Sequence, residues 1–174
     1  MLDSLPPRQW IGNRAYFLSQ TNSNMPTRQA VIQAAHDHYE SRIRALNQRQ
    51  EDQLAAIDPE GEPTDIDDHS FIDQIIGEQV EREAEQIDYM QDHLASLRRM
   101  AANPEGPQQV QFGAIVETDQ LNFLVGVPMR RFTVEAQTFV GLEPDAPLGQ
   151  AMQGQKTGET VSYQGNKFVI ERIY

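Results

Sequence analysis

The chain has 174 residues, a formal net charge of −12 and a sequence pI near 4.6, and it contains no cysteine. This length suits one ordinary domain, or a small domain that carries an extended helical appendage. The acidity argues against non-specific binding of nucleic acid by the whole surface, and the lack of cysteine excludes disulfides, thiolate zinc sites and thiol catalysis.

The first 25 residues show neither helix nor strand periodicity, and we interpret residues 1–25 as a mobile extension. They lack the apolar core of a secretory signal and the Arg-rich pattern of a transit peptide. No stretch of the sequence approaches the roughly 18 to 20 apolar residues that span a bilayer. We therefore expect a soluble, cytoplasmic protein. Its functional start is Met1, or Met25, which directly precedes the first helical pattern.

Two coiled-coil patterns follow, because apolar or small residues alternate at spacings of three and four along residues 27–57 and again along residues 67–101. The first series is Ile32, Ala35, Tyr39, Ile43, Leu46, Leu54 and Ile57, and the second is Ile72, Ile76, Val80, Ala84, Ile87, Met90, Leu94 and Leu97. Gln50 and Gln53 interrupt the first series. The short connection predicts an antiparallel coiled-coil hairpin over residues 26–103, with an arm on the order of 45 Å long.

The connection between the two patterns is acidic, since six of the eleven residues 58–68 are Asp or Glu. Pro59, Gly61 and Pro63 stop both helices there. The sequence therefore predicts an acidic tip at the far end of the helical arm.

Beyond the helix-breaking residues 102–107, the period changes from that of a helix to that of a strand. Residues 110–116 and 123–127 read as a hairpin, strands are also predicted at 132–134, 137–140, 160–163 and 168–174, and a short helix is predicted at 147–153. We expect residues 108–174 to form a small β-rich domain, so the predicted fold class is α+β.

The segment APLGQAMQGQKTGETV at residues 146–161 resembles the C-terminal domain of Gre-type transcript-cleavage factors. That family carries a Ser-Pro-(Leu/Ile)-(Gly/Ala)-x-Ala-Leu-x-Gly-Lys-x-x-Gly-Asp-x-Val pattern, in which Ala146, Met152 and Glu159 here replace Ser, Leu and Asp. The run FGAIV at residues 112–116 matches the strand that opens the same domain. The resemblance implies an FKBP-like C-terminal domain and a coiled coil that enters the secondary channel of bacterial RNA polymerase.

The same resemblance implies a transcription elongation factor that promotes cleavage of backtracked RNA at its 3′ end. Family members place two acidic residues at the coiled-coil tip in a Gly-Asp-Leu-Ser-Glu-Asn pattern, and the nearest match here is Thr-Asp-Ile-Asp-Asp-His at residues 64–69. Asp65 and Asp68 keep the acidic spacing and are the predicted Mg²⁺ ligands. Reserve ligands are Glu60, Glu62 and Asp67.

Residues three apart share one face of a helical turn, so Asp65 and Asp68 can reach one Mg²⁺ ion, or the ion and its water. The rest of that site belongs to the polymerase, so this chain is expected to bind Mg²⁺ weakly by itself and to hydrolyse nothing. In an alternative interpretation, Asp65, Asp67 and Asp68 simply cap the second helix.

Two further sets of residues are candidate contacts. Possible contacts to RNA or to the polymerase are Arg42, Arg44 and Arg49, for which solvated positions are the alternative. Possible contacts to the polymerase rim are Pro147, Leu148 and Met152, of which Leu148 and Met152 also suit the domain core.

Two other functions remain open at this point. A secondary-channel regulator would inhibit the polymerase without cleavage, and an acidic coiled-coil adaptor would have no connection with polymerase. The protein is expected to act as a monomer.

Overall fold

The structure is a computed structural model that describes residues 26–56 and 66–174, and their side chains except at positions 54, 56 and 66–76. The predicted mobile extension and most of the predicted acidic tip lie outside the described residues. No helix of the described ranges is long and apolar enough to cross a membrane.

Two long helices form the N-terminal part of the described chain. Helix α1 spans Arg28–Ala56 and helix α2 spans Ile66–Ala101. The hydroxyl oxygen of Thr27 accepts a hydrogen bond from the backbone N–H of Ala30 at 3.2 Å, which caps the start of α1. At 1.5 Å per residue the helices are about 44 and 54 Å long.

The helices pack antiparallel along an apolar seam near the sheet domain. The buried seam residues are Val31, Ile32, Ala35, Tyr39 and Leu46 from α1, with Met90, Leu94, Leu97 and Met100 from α2. Each fully buried aliphatic side chain stabilises the pairing by roughly 2 kcal/mol relative to an exposed one. Burial of these residues therefore holds the base of the arm together.

Six strands and one short helix form the sheet domain. They are β1 Ile115–Thr118, β2 Asn122–Val125, β3 Met129–Val134, β4 Gln137–Leu142, α3 Pro147–Met152, β5 Thr160–Tyr163 and β6 Asn166–Ile173. The strand order is β3-β4-β2-β1-β6-β5. Neighbouring strands are antiparallel except for β2 and β4, which are parallel.

The sheet has an apolar core on each face, because side chains alternate along a strand. Ile115 of β1 and Leu124 of β2 pair in register and join the cluster that includes the helical seam. Their neighbours Val116 and Phe123 pair in register and join the second cluster, which contains Met152 of α3. The sheet thus lies between the base of the arm and α3.

These elements confirm the predicted fold class, α+β with an antiparallel helical hairpin ahead of a small β-rich domain.

The predicted strand over residues 110–116 is wrong in its first half. Gly113 has a φ of +85°, and Ala114 N–H donates to the Gln111 carbonyl at 2.9 Å, so the chain turns before β1 begins. Val110 is instead held by backbone bonds to Gln155 and Gly154.

Among the described side chains, the coiled-coil seam also differs from the prediction at position 84. Ala84 is exposed, and the preceding residue, Glu83, is buried in its place. The alternation of three and four continues without a break only if Val80, Glu83 and Ile87 follow one another. The prediction counted apolar and small residues only, and a charged residue is seldom found in an apolar seam.

Arg28 connects the arm to the sheet domain. Its guanidinium donates four hydrogen bonds to main-chain oxygens, to Asn103 at 3.0 Å, Gly113 at 2.5 Å, Tyr174 at 3.1 Å and Met100 at 3.2 Å. The side chain is buried, and burial lowers its pKa. The acceptors come from the end of α2, from the turn before β1 and from the residue after β6, so one side chain joins three segments.

Replacing Arg28 is expected to destabilise this junction strongly. Arg28→Ala removes the guanidinium donor from the carbonyls of Gly113 and Asn103, whereas the main-chain oxygens of Met100 and Tyr174 still accept from a backbone N–H. We expect a loss of about 3 kcal/mol in the free energy of unfolding, measured by urea denaturation. Arg28→Lys keeps the charge but not the planar fork, and should recover only part of the loss. Arg131→Ala, at an exposed site, is the control and should change stability by less than about 0.5 kcal/mol. Equal stability of Arg28→Ala and the parent protein would contradict this role.

Candidate functional site

The acidic tip is the predicted centre of function, and the structure describes only its edge. Glu60, Glu62 and Asp65 lie outside the described residues. Asp67 and Asp68 lie in the first turn of α2, which begins at Ile66. Acidic side chains in the first turn interact favourably with the positive end of the helix dipole. Their position is therefore compatible with helix capping as well as with metal binding.

The described helix ends extend past the sheet domain. Helix α1 contacts the domain at Arg28, at Tyr39 and around Arg42, and its last residue, Ala56, is 14 residues beyond Arg42. At 1.5 Å per residue this is about 21 Å of helix. Ala56 and Ile66, the described residues on either side of the acidic connection, both lie at the outer end of the arm.

Charge is divided along the arm. Residues 51–92 contain fifteen Asp and Glu residues and a single Arg, Arg82. In the described part of α2 the carboxylates of Glu81, Glu85 and Asp88 are exposed. The outer arm therefore carries a strong negative potential that extends well beyond the tip residues themselves.

Glu83 is the exception, because it is 5% exposed and lies in the seam. Arg49 Nη1 lies 3.8 Å from its Oε1 atom, and Gln79 Nε2 donates a long hydrogen bond of 3.5 Å to the same atom. The second oxygen, Oε2, has no hydrogen-bond partner among the described residues. Gln50 and Gln53 of α1 are half-buried. The described seam thus includes polar side chains at this level of the arm.

The three predicted arginine contacts have different surroundings. Arg49 pairs with Glu83, as described above, although its own side chain is 62% exposed. Arg44 lines a groove with Glu40 and Arg98 on one side of the arm. Arg42 lines a separate groove between the arm and the sheet domain. All three are exposed at the surface, where contact with a partner is sterically open.

The three predicted contacts of the sheet domain also separate. Pro147 is exposed and Leu148 is half-buried, at the first two positions of α3. Met152 is completely buried against the sheet, within the same core as Phe123 and Ile170. Met152 therefore cannot contact a partner unless α3 moves, and its role as a contact residue is corrected to a core role.

One cluster of possible metal ligands lies on α1, where the sequence showed no familiar ligand spacing. Ligand atoms of His36, Asp37 and Glu40 lie within 4.8 Å of one another. Each group already has a protein neighbour, since His36 Nδ1 is 3.7 Å from Glu40 and Gln33 donates to Asp37 at 2.8 Å. The cluster lies on the inner half of α1 rather than near the tip, so it does not contribute to the predicted Mg²⁺ site.

Sequence reasoning missed a group of aromatic and polar residues at the junction. The hydroxyl of Tyr39 donates a hydrogen bond to the Pro128 carbonyl. The ring of His93 packs against the ring of Tyr39. It also meets the ring of Tyr89 edge to face, with 4.3 Å between the ring centroids. Burial, with the nearby Glu143 carboxylate as a smaller cause, raises the pKa of Tyr89. The helical seam pattern included Tyr39, but nothing in the sequence indicated its partner on the sheet domain.

Comparison with known proteins does not assign the chain to a family. No protein-family model matches it, and no curated protein sequence matches it significantly. A solved structure, GreA factor homolog 1 of Thermus thermophilus, aligns over 84% of this chain and 94% of that chain with 12% sequence identity and a TM-score of 0.32. Agreement at this level carries no argument about function.

Replacing Glu83 is expected to stabilise the arm. In Glu83→Leu an apolar side chain fills the seam, and the remaining Arg49 stays solvated, so we expect a gain of about 1 kcal/mol in the free energy of unfolding. Glu85→Leu, two residues further on and exposed, is the control and should be nearly neutral. The measurement is thermal unfolding followed by the helical circular dichroism signal. A loss of stability in Glu83→Leu would show that the pair with Arg49 stabilises the hairpin.

Proposed function

We propose that this chain is a transcription elongation factor that binds bacterial RNA polymerase through the secondary channel and promotes cleavage of backtracked RNA. The polymerase supplies the catalytic centre, and the chain supplies carboxylates. It is an accessory factor that acts in the cytoplasm, where the polymerase is, and it has no hydrolytic activity of its own.

The observation that carries this proposal is the arrangement of the arm on the sheet domain. Two packed helices are fixed at the base by Arg28, and α1 extends about 21 Å past Arg42, where it still borders the sheet domain, toward the acidic connection. Such an arm suits a narrow, deep site that the globular domain cannot enter. The motif at residues 146–161, which resembles that of Gre-type factors, supports the polymerase as the owner of that site.

The proposed chemistry uses Asp65 and Asp68. Hydrolysis of a phosphodiester by two metal ions needs a second Mg²⁺ and an oriented water. Mg²⁺ is usually held by one or two carboxylates together with water and phosphate oxygens, so two aspartates three residues apart provide a suitable share. The acidic outer arm favours entry into a channel of positive potential.

A second candidate is a secondary-channel regulator that inhibits without cleavage. The sequence of the tip favours it, because residues 64–69 lack the Gly and Asn of the family pattern and contain an additional acid, Asp67. In this case the acidic tip occupies the channel and slows nucleotide addition, and no RNA is cut.

A cleavage assay on stalled, backtracked polymerase complexes tests the leading proposal. The parent protein should increase the release of short 3′ RNA fragments. The double variant Asp65→Asn with Asp68→Asn should lower this stimulation at least about tenfold, because a metal bound in the transition state contributes several kcal/mol.

The matched control is Glu81→Gln with Glu85→Gln, which removes two exposed carboxylates of the outer arm away from the tip. This control should retain most of the stimulation. If the tip variant stimulates as well as the parent protein, the metal-ligand assignment is wrong. Slower nucleotide addition by the parent protein, with no fragment released, would favour the inhibitory function instead.

A further inference from the structure

A concave groove lies where the arm meets the sheet domain. It has a volume of about 580 Å³ and is lined by α1, α2 and the start of β3. This volume lies within the range of about 300 to 1,000 Å³ that is typical of sites for small ligands. The predicted polymerase contacts do not require such a cavity.

Two arginines line the groove from different elements. Arg42 comes from the exposed face of α1, and Arg130 comes from β3. Neither guanidinium group has an ion-pair or side-chain hydrogen-bond partner among the described residues. In a protein of net charge −12, two guanidinium groups without acidic partners in one cavity indicate a place for an anion. A guanidinium group can donate two parallel hydrogen bonds to two oxygens of one phosphate, so this pair of arginines suits a phosphate group.

The remaining lining suits an aromatic base. Tyr89 is 52% exposed, and its ring borders the groove. Gln86, one helical turn earlier on α2, provides an amide that can both donate and accept hydrogen bonds. Met129 and Met90 add an adaptable apolar surface.

Charged and titratable groups lie around this groove on several elements. His38 of α1 lines the groove and adds no negative charge. The Tyr89 hydroxyl donates a hydrogen bond to the Glu143 carboxylate, which also lies near Tyr39 and His93, although Glu143 is not among the residues that line the groove. No carboxylate is among the described residues that line the groove, and the Glu143 carboxylate beside Tyr89 has the Tyr89 hydroxyl as a hydrogen-bond partner.

We propose that this groove binds a free nucleotide, with its phosphates on Arg42 and Arg130 and its base against Tyr89. The site differs in position and charge from the acidic tip. It does not depend on the proposed polymerase activity, because it is formed entirely by the isolated chain.

Calorimetric titration of the full chain with ATP, in EDTA so that no metal bridges the tip acids, tests the proposal. ATP should bind, and adenosine should bind at least about tenfold more weakly because it lacks phosphates. The variant Arg42→Gln with Arg130→Gln should also weaken ATP binding at least about tenfold. Tyr89→Leu should weaken ATP while leaving binding of inorganic triphosphate unchanged.

Arg131→Gln is the matched control. Arg131 is the exposed neighbour of Arg130 on the same strand, it lies outside the groove lining, and its replacement removes the same charge. It should retain ATP binding. Far-ultraviolet circular dichroism of every variant confirms that the helices remain folded.

Four results would overturn the proposal. The first is that ATP does not bind at concentrations up to ~5 mM, and the second is that Arg131→Gln loses as much ATP affinity as Arg42→Gln with Arg130→Gln. The third is that inorganic triphosphate and ATP bind with equal affinity. The fourth is that a short oligoribonucleotide binds much more tightly than ATP through the same arginines. The last two would assign the groove to simple polyanions and to RNA, respectively. All four are measured without polymerase, so they are independent of the cleavage assay.

Discussion

The arrangement of this protein depends on the buried guanidinium of Arg28. The last carbonyls of a helix lack an N–H donor from a following helical turn. The carbonyls of Met100, in the last turn of α2, and of Asn103, two residues beyond the helix, both accept from Arg28. Because the helices are antiparallel, the first turn of α1 brings Arg28 to this same end. Its remaining hydrogen bonds reach Gly113 and Tyr174, so the interaction that completes the hairpin also fixes the sheet domain to it.

The arm built on this base has two halves with different physical character. Near the domain, an apolar seam from Val31 to Leu46 is covered by α2 and by the sheet. Further out, Glu83 and the half-buried glutamines of α1 add polar side chains to the described seam, and the described exposed surface is acidic. Charge repulsion keeps the acidic outer half of the arm away from other acidic surfaces. In the inner half, burial of apolar side chains keeps the two helices packed together. The division leaves cationic residues such as Arg42 and Arg130 concentrated around the base.

Much of the fold was predictable because it follows from local periodicity. Both helices, the short helix at Pro147 and the strand Thr160–Tyr163 follow from spacing, Pro and Gly. The errors occur where a distant contact decides. The turn before β1 depends on Gly113 and its place beside Arg28, and the burial of Glu83 depends on the register of α2 against α1. For the candidate site, the sequence indicated the tip acids, but the groove at the junction joins residues almost 90 positions apart.

The sequence by itself determined the fold class, the acidic connection and the division of charge, because these depend on residue type and on spacing along one element. The resemblance at residues 146–161 also came from the sequence alone. Only the tertiary structure decided that Arg28 is the junction residue, that Met152 is core and that Arg42 meets Arg130 in one cavity. The physical reason is that burial and hydrogen bonding depend on which segments meet in space, and a local pattern does not specify such long-range pairings.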